Sequence, residues 1–262
     1  MKSKKYVNSG EKSFIVIEEQ DVEIKEKSTL MFGFAGVGLL GPIIANEMIE
    51  QIEDIKEIGY VASDMLPPIA TFHHGELMHP FRIYYTRKYN IILGISEVPF
   101  QISSAYNDLA KTLCNWSQSE DIKPKEIITF QGIPKKGMID EFPVYYAAQE
   151  NSSRRLDQLT IEKVDKGIIT GAEATLVNIA LTSKLEPIVL FTPVYQIATP
   201  EGAASIIEKL NQIYGMNIET QELIEKGKEI KEKMQDLANK ARQYRQKQLA
   251  GSQQEGPYEL YR

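Results

Sequence analysis

Between Thr29 and Ala62 the chain changes hydrophobic period twice. A strand-length apolar run, Thr29 to Phe34, leads into a glycine cluster at Gly33, Gly36, Gly38 and Gly41. Apolar residues then recur at helical spacing (Ile43, Ile44, Met48, Ile49, Ile52), and a second strand-length run spans Glu57 to Ala62. A period that moves from two to 3.6 and back over about thirty residues is the mark of a strand–helix–strand unit. Parallel strands need a crossover of that length, whereas antiparallel strands can be joined by a tight turn. The pattern therefore excludes an all-helical chain and predicts a sheet with helices packed on it.

The rest of the chain extends the pattern. Ser13 to Glu19 reads as a strand, and Arg82 to Thr86 with Asn90 to Glu97 as a strand pair around a polar turn. Ser103 is placed to cap a helix reaching Ser119. Further strands are expected at Glu126 to Gln131, Glu141 to Tyr146 and Ile188 to Thr192, with helices at Ala172 to Ser183 and Glu201 to Tyr214. Glu150 to Gln158 reads as a polar helix or loop. Strands alternating with helices predict an α/β fold, a three-layer sandwich around a mostly parallel sheet. The expected organisation is a mobile N-terminus over 1–12, an α/β core over 13–216, a long helix over 217–250 and a flexible tail over 251–262.

The predicted long helix differs from the core in character. Leu223, Ile230, Leu237 and Tyr244 repeat every seven residues, with Met234 and Ala241 four residues after Ile230 and Leu237. This seam is narrower than the face of a helix buried in a globular core and suits helix pairing. Gly227 interrupts it, at a cost of about 1 kcal/mol in helix propensity. Gly251 to Pro257 ends the helix, and Tyr258, Leu260, Tyr261 and Arg262 follow. Apolar anchors, a phenol and a terminal carboxylate on a tether suit capture in a pocket.

Composition removes several classes of function. With 36 acidic and 30 basic residues the net charge is −6, against the cationic surplus that nucleic-acid binding requires. No run approaches the length of a membrane-spanning helix, and no apolar stretch follows the basic residues of Met1 to Lys5, so neither a membrane span nor a secretory signal is expected. One cysteine, Cys114, precludes an internal disulfide and a cysteine-based zinc cluster. The expected compartment is cytoplasmic.

Three clusters could carry chemistry. Gly36-Val37-Gly38-Leu39-Leu40-Gly41 fits G-x-G-x-x-G after a strand and before a helix, and Asp64 lies beyond the next strand. That is the layout of a dinucleotide site, with pyrophosphate on the helix N-terminus. The competing reading is a glycine turn that lets the helix pack close to the sheet. His73, His74 and His79 invite a metal, but their spacing is not that of a helical ligand pair, and a polar loop is the expectation. Cys114 sits beside Leu113 in an apolar helix and reads as a buried structural residue.

Several motifs in order carry a wider resemblance. Gly33 to Gly41 is followed by Ile58-Gly59-Tyr60, Asp64-Met65-Leu66-Pro67-Pro68 and His74-Gly75-Glu76. Then come Glu97-Val98-Pro99, Gly132-Ile133-Pro134, Gly171-Ala172 and Thr199-Pro200-Glu201-Gly202-Ala203-Ala204. From Phe14 to Leu223 the chain resembles the proteasome assembly chaperone 2 family. The resemblance implies a non-enzymatic core with nucleoside-phosphorylase-like topology but without phosphorylase catalytic residues, and no cofactor. It also implies a homo-oligomer, tetramer or pentamer, like the archaeal homologues of the assembly chaperones. Some members end in a hydrophobic–Tyr–any-residue motif, matched here by Leu260, Tyr261 and Arg262. The same motif ends proteasome-activating ATPases and enters pockets between adjacent α-subunits of the core particle, where the terminal carboxylate meets a lysine. The carboxylate of Arg262 inherits that role by resemblance, and its cationic side chain departs from what such a pocket favours. No G-x-x-x-x-G-K-[ST] sequence occurs, so no ATP-driven motor is expected. The expectation is an ATP-independent proteasome assembly chaperone or activator-like factor. Its alternative is a nucleotide-dependent enzyme using Gly36, Gly38, Gly41 and Asp64.

Overall fold

A computed structural model of the chain describes residues 4–7, 10, 12–18, 22–99, 103–119 and 122–235. Its strands are β1 (Lys4–Val7), β2 (Ser13–Ile17), β3 (Thr29–Gly33), β4 (Lys56–Ser63), β5 (Thr71–His73) and β6 (Glu76–Met78). They continue with β7 (Phe81–Thr86), β8 (Ile91–Ser96), β9 (Glu126–Pro134), β10 (Tyr145–Ala148), β11 (Glu162–Lys163) and β12 (Glu186–Val194). The helices are α1 (Leu40–Gln51), α2 (Ser103–Ser119), α3 (Glu150–Gln158), α4 (Ala172–Thr182), α5 (Pro200–Tyr214) and α6 (221–235).

All strands but β5 and β6 form one ten-stranded sheet, ordered β1-β2-β4-β7-β8-β3-β9-β12-β10-β11. Its centre is parallel, through β8 with β3, β3 with β9 and β9 with β12. Its flanks are antiparallel: β1, β2, β4, β7 and β8 pair in succession on one side, and β10 runs against β12 on the other. The sheet is therefore mixed: parallel at its centre and again between β10 and β11 at one edge, antiparallel in between and on the other flank. The reason is local. The polar turn Arg87 to Asn90 closes β7 and β8 into a hairpin, and that hairpin lies between β3 and β4. The strand–helix–strand unit exists, but its two strands are not neighbours.

Strand pleat sends alternate residues to opposite faces, and β3 shows the result. Met31 joins one core, while Leu30 and Phe32 join the other. The first core holds Ile44 and Met48 of α1, Leu156 of α3, Ile207 and Leu210 of α5, and Leu223 of α6. The second holds Leu109, Leu113 and Trp116 of α2 with Leu176 and Ala180 of α4. Helices thus cover both faces, as the alternation predicted.

Two expected boundaries shift. Part of the stretch read as a mobile N-terminus over 1–12 is an edge strand: Lys4 to Val7 pair with Phe14 to Ile17. The Asp108 carboxylate accepts from the backbone N–H of Lys12 at 2.7 Å and of Ser13 at 2.6 Å, which fixes the start of β2 on α2. At the other end, Met216, Ile218 and Leu223 all belong to the first core, so that core continues through residue 216 into α6.

Candidate functional site

The central strands β3, β9 and β12 run in one direction, and their carboxyl ends form one edge of the sheet. The glycine run leaves β3 there. Residues 37–39 make a single 3₁₀ turn, with Gly38 at φ 77° and Leu39 at φ 52°, before α1 begins. Three of the four glycines have a packing reason. A Cβ on Gly33 would overlap the carbonyl oxygen of Gly41, and one on Gly41 would lie 2.5 Å from the backbone nitrogen of Phe34. A Cβ on Gly38 would lie 2.7 Å from that of Val194. The backbone N–H of Thr199 donates to the Gly38 carbonyl at 2.9 Å, tying the turn to the loop after β12. These glycines let the turn close on the sheet.

Asp64 lies in the exposed turn after β4. Three sheet spacings separate β4 from β3, roughly 14 Å at about 4.8 Å each. In a dinucleotide fold the ribose-binding acid ends the strand beside the glycine turn. The β7–β8 hairpin takes that place here, so Gly36, Gly38 and Gly41 are not brought together with Asp64.

Beside Gly36 the edge opens into a cavity of about 180 Å³, lined by Phe34, Tyr106, Gln131, Gly171 and Glu173 among others. Glu173, in the first turn of α4, is 5% exposed. Burial, opposed by its own backbone N–H, pushes its carboxyl up to about 7. A Cβ on Gly36 would lie 3.4 Å from Glu173 Oε1. The N-terminus of α4 therefore already carries a carboxylate where an anion would sit, which disfavours a phosphate. Sequence reasoning missed Glu173 and Gln131. Both stand in mainly apolar stretches, Gly171 to Ala180 and Ile127 to Ile133, where Glu173 is the one charged residue and Gln131 the one amide, and that was the available signal.

The histidines do not converge. His73 Nε2 meets Glu97 Oε1 at 2.6 Å, His79 stacks on Tyr60 with centroids 3.6 Å apart, and His74 sits at φ 51° in the turn between β5 and β6. Among the described residues no group of three or more His, Cys, Asp or Glu could hold a metal. Cys114 is buried at 1% exposure, and burial pushes its thiol up to about 12, which suppresses the thiolate.

Of the predicted helix seam, Leu223 is buried in the first core, and Ile230 and Met234 are half-buried. Leu237, Ala241 and Tyr244, and the terminal Leu260, Tyr261 and Arg262, lie outside the described residues. The course of α6 is set at both ends. Glu219 N–H donates to Gln51 at the end of α1 at 2.7 Å, and Lys231 Nζ donates to the Ile139 carbonyl and to Asp140, each at 3.2 Å. The helix thus climbs from the amino edge of the parallel strands to the carboxyl edge.

Together these features define a three-layer α/β/α protein with a closed glycine turn and a polar cavity at the carboxyl edge. The PAC2 family model matches residues 30–238, and the chain belongs to that family. PbaA of Pyrococcus furiosus, described as an archaeal homolog of proteasome-assembly chaperone, is 26% identical, with a TM-score of 0.74 over 88% of this chain and 96% of its own. PbaB of the same organism, described as an archaeal proteasome activator, is 19% identical; its TM-score of 0.74 over 87% of this chain and 99% of its own is a likeness of fold. An uncharacterized protein of Methanocaldococcus jannaschii is 25% identical over 226 residues, covering 85% of this chain and 90% of the relative.

Proposed function

We propose that the protein is a proteasome assembly chaperone or activator-like factor that works without ATP. In this reading several copies of the core associate, and each presents Leu260, Tyr261 and Arg262 to a pocket between adjacent α-subunits of the core particle. The observation that carries it is family membership joined to a likeness with PbaA over nearly all of that protein. The course of α6 supports the geometry, because its described part carries Lys231 to the carboxyl edge of the sheet. A three-residue hook buries little surface and binds weakly alone. Several hooks on one oligomer, facing a ring, raise the effective concentration and can strengthen binding by roughly a hundredfold or more. In the sequence Leu237, Ala241 and Tyr244 continue the spacing of Leu223, Ile230 and Met234, a pattern suited to gathering helices.

The test is deletion of residues 260–262. The truncated protein should keep its oligomer size by light scattering and its melting temperature, and lose capture of proteasome α-rings. Undiminished capture overturns the hook.

A further inference from the structure

The cavity beside Gly36 is unusual in what it offers. Glu173 brings a carboxylate, nine-tenths buried, to its wall. Gln131 adds a second acceptor: its Oε1 is buried without a hydrogen-bond partner, while its Nε2 donates to the Gly132 carbonyl at 3.4 Å. Turning the amide over would set oxygen against oxygen, so the acceptor is the end left free. A buried acceptor without a partner costs about 1–3 kcal/mol, and a buried carboxylate without a cation costs more. Among the described residues no cation pairs with Glu173, which has only its own backbone N–H, so the two groups on one small cavity create a demand for hydrogen-bond donors and positive charge.

A second, larger cleft of about 490 Å³ shares Gln131 and Thr170 with the first. Its lining includes Ile133, Pro134, Ile168 and Phe191, together with the exposed, oppositely charged Asp165 and Lys166. An apolar trough thus adjoins the acceptor pair. From this arrangement we infer that the carboxyl edge holds a binding site for an organic cation, an ammonium or guanidinium head on Glu173 and Gln131 with an apolar body along Ile133, Pro134 and Phe191. A charge-assisted hydrogen bond to each acceptor removes both penalties at once. The carboxyl held up to about 7 agrees, since burial raises it and only its own backbone N–H opposes the rise. Tyr106 of α2 faces the same carboxylate, and its phenol is pushed up first by burial and then by that charge. The site is built from residues of the α/β core and does not depend on α-ring docking.

Butylammonium and butylguanidinium are the probes, with butanol and butyrate as neutral and anionic controls, titrated into the full chain by NMR and calorimetry. The cations should saturate at millimolar concentration or below and perturb Gly36, Gln131, Thr170 and Glu173, with the controls at least tenfold weaker. Glu173→Gln should weaken the cations tenfold or more and leave butanol unaffected. Gly36→Val, at an exposed position with extended backbone, should narrow the cavity and weaken every probe that enters it. Butanol binding as tightly as butylammonium, cation binding indifferent to Glu173→Gln, or no saturation by either cation overturns the site. N-acetylarginine amide separates two sources of the same head group. Preference for it over butylguanidinium indicates an arginine side chain of a protein, and the reverse indicates a free amine or guanidine; either order supports the site.

Discussion

Two buried glutamates act on stability in opposite directions. Glu126 accepts from Arg155 at 2.7 Å, Tyr214 at 2.9 Å and Thr29 at 3.0 Å, with Lys125 at 3.3 Å. Burial alone would raise its carboxyl, but the Arg155 hydrogen bond and charge, with Lys125 and Tyr214, hold it below the usual 4.5. A depressed carboxyl stabilises the fold above the unfolded value and loses that contribution as pH falls through the folded one. Glu173 is the reverse. Its folded carboxyl titrates at about 7 against 4.5, so the folded state keeps a proton that the unfolded chain releases, and stability falls as pH rises from about 4.5 to about 7. The full loss is about 3 kcal/mol. Glu173→Gln should raise the urea midpoint at pH 8, leave it little changed at pH 4.5 and flatten the slope between. Glu126→Gln should cost about 2–3 kcal/mol at pH 7, read from the same titrations, because Arg155 loses its partner. Gly38→Ala meets both a left-handed backbone and Val194, and a cost of about 2–4 kcal/mol is expected.

At the scale of elements, the β5–β6 hairpin and α6 each depend on a localised contact. Arg82, 2% exposed, donates to Glu97 at 3.0 Å, to the His79 carbonyl at 3.1 Å and to Tyr84 at 2.8 Å. Glu97 in turn holds His73. Phe72 and Leu77 are paired residues on the hairpin's other face and are exposed, so its own apolar packing contributes little. Glu97→Gln leaves the buried Arg82 charge short of its closest counter-ion. It should cost about 3 kcal/mol and speed amide exchange over residues 71–78 more than over β8. In α6, Gly227 is buried where a Cβ would overlap the Glu201 carboxyl group, so the glycine lets this helix approach the start of α5. Gly227→Leu should loosen α6 from the core. Circular dichroism would keep its helix signal or lose a small part of it, while exchange protection over residues 221–235 drops.

For the molecule as a whole, the first core reaches into α6. Leu223 is 3% exposed and Ile224 packs beside it, so truncation after residue 219 should cost about 3–5 kcal/mol, whereas truncation after residue 235 should leave the melting temperature nearly unchanged. Any loss of α-ring capture in the chain cut after residue 235 then reports on the segment beyond 235 rather than on the fold. Among the described residues no helix is long and apolar enough to cross a membrane.

The sequence by itself determined the layers. Period-two and period-3.6 runs depend on neighbouring residues alone, so β3, α1, β4, the β7–β8 hairpin, α4 and α5 were legible to within a few residues, and ordered motifs were enough to suggest the family. Tertiary structure decided who sits beside whom. The hairpin enters between β3 and β4 because sheet order depends on which edges bury the most apolar surface, a long-range choice without a local signature, and that separates Asp64 from the glycine turn. It also made Leu223 a core residue rather than a free seam, and Gly227 a point of close packing rather than a flaw. Glu173 and Gln131, forty-two positions apart in the chain, meet only because β9 and the start of α4 share the carboxyl edge. Burial and partnership belong to the folded neighbourhood, and no spacing rule within a single segment encodes them.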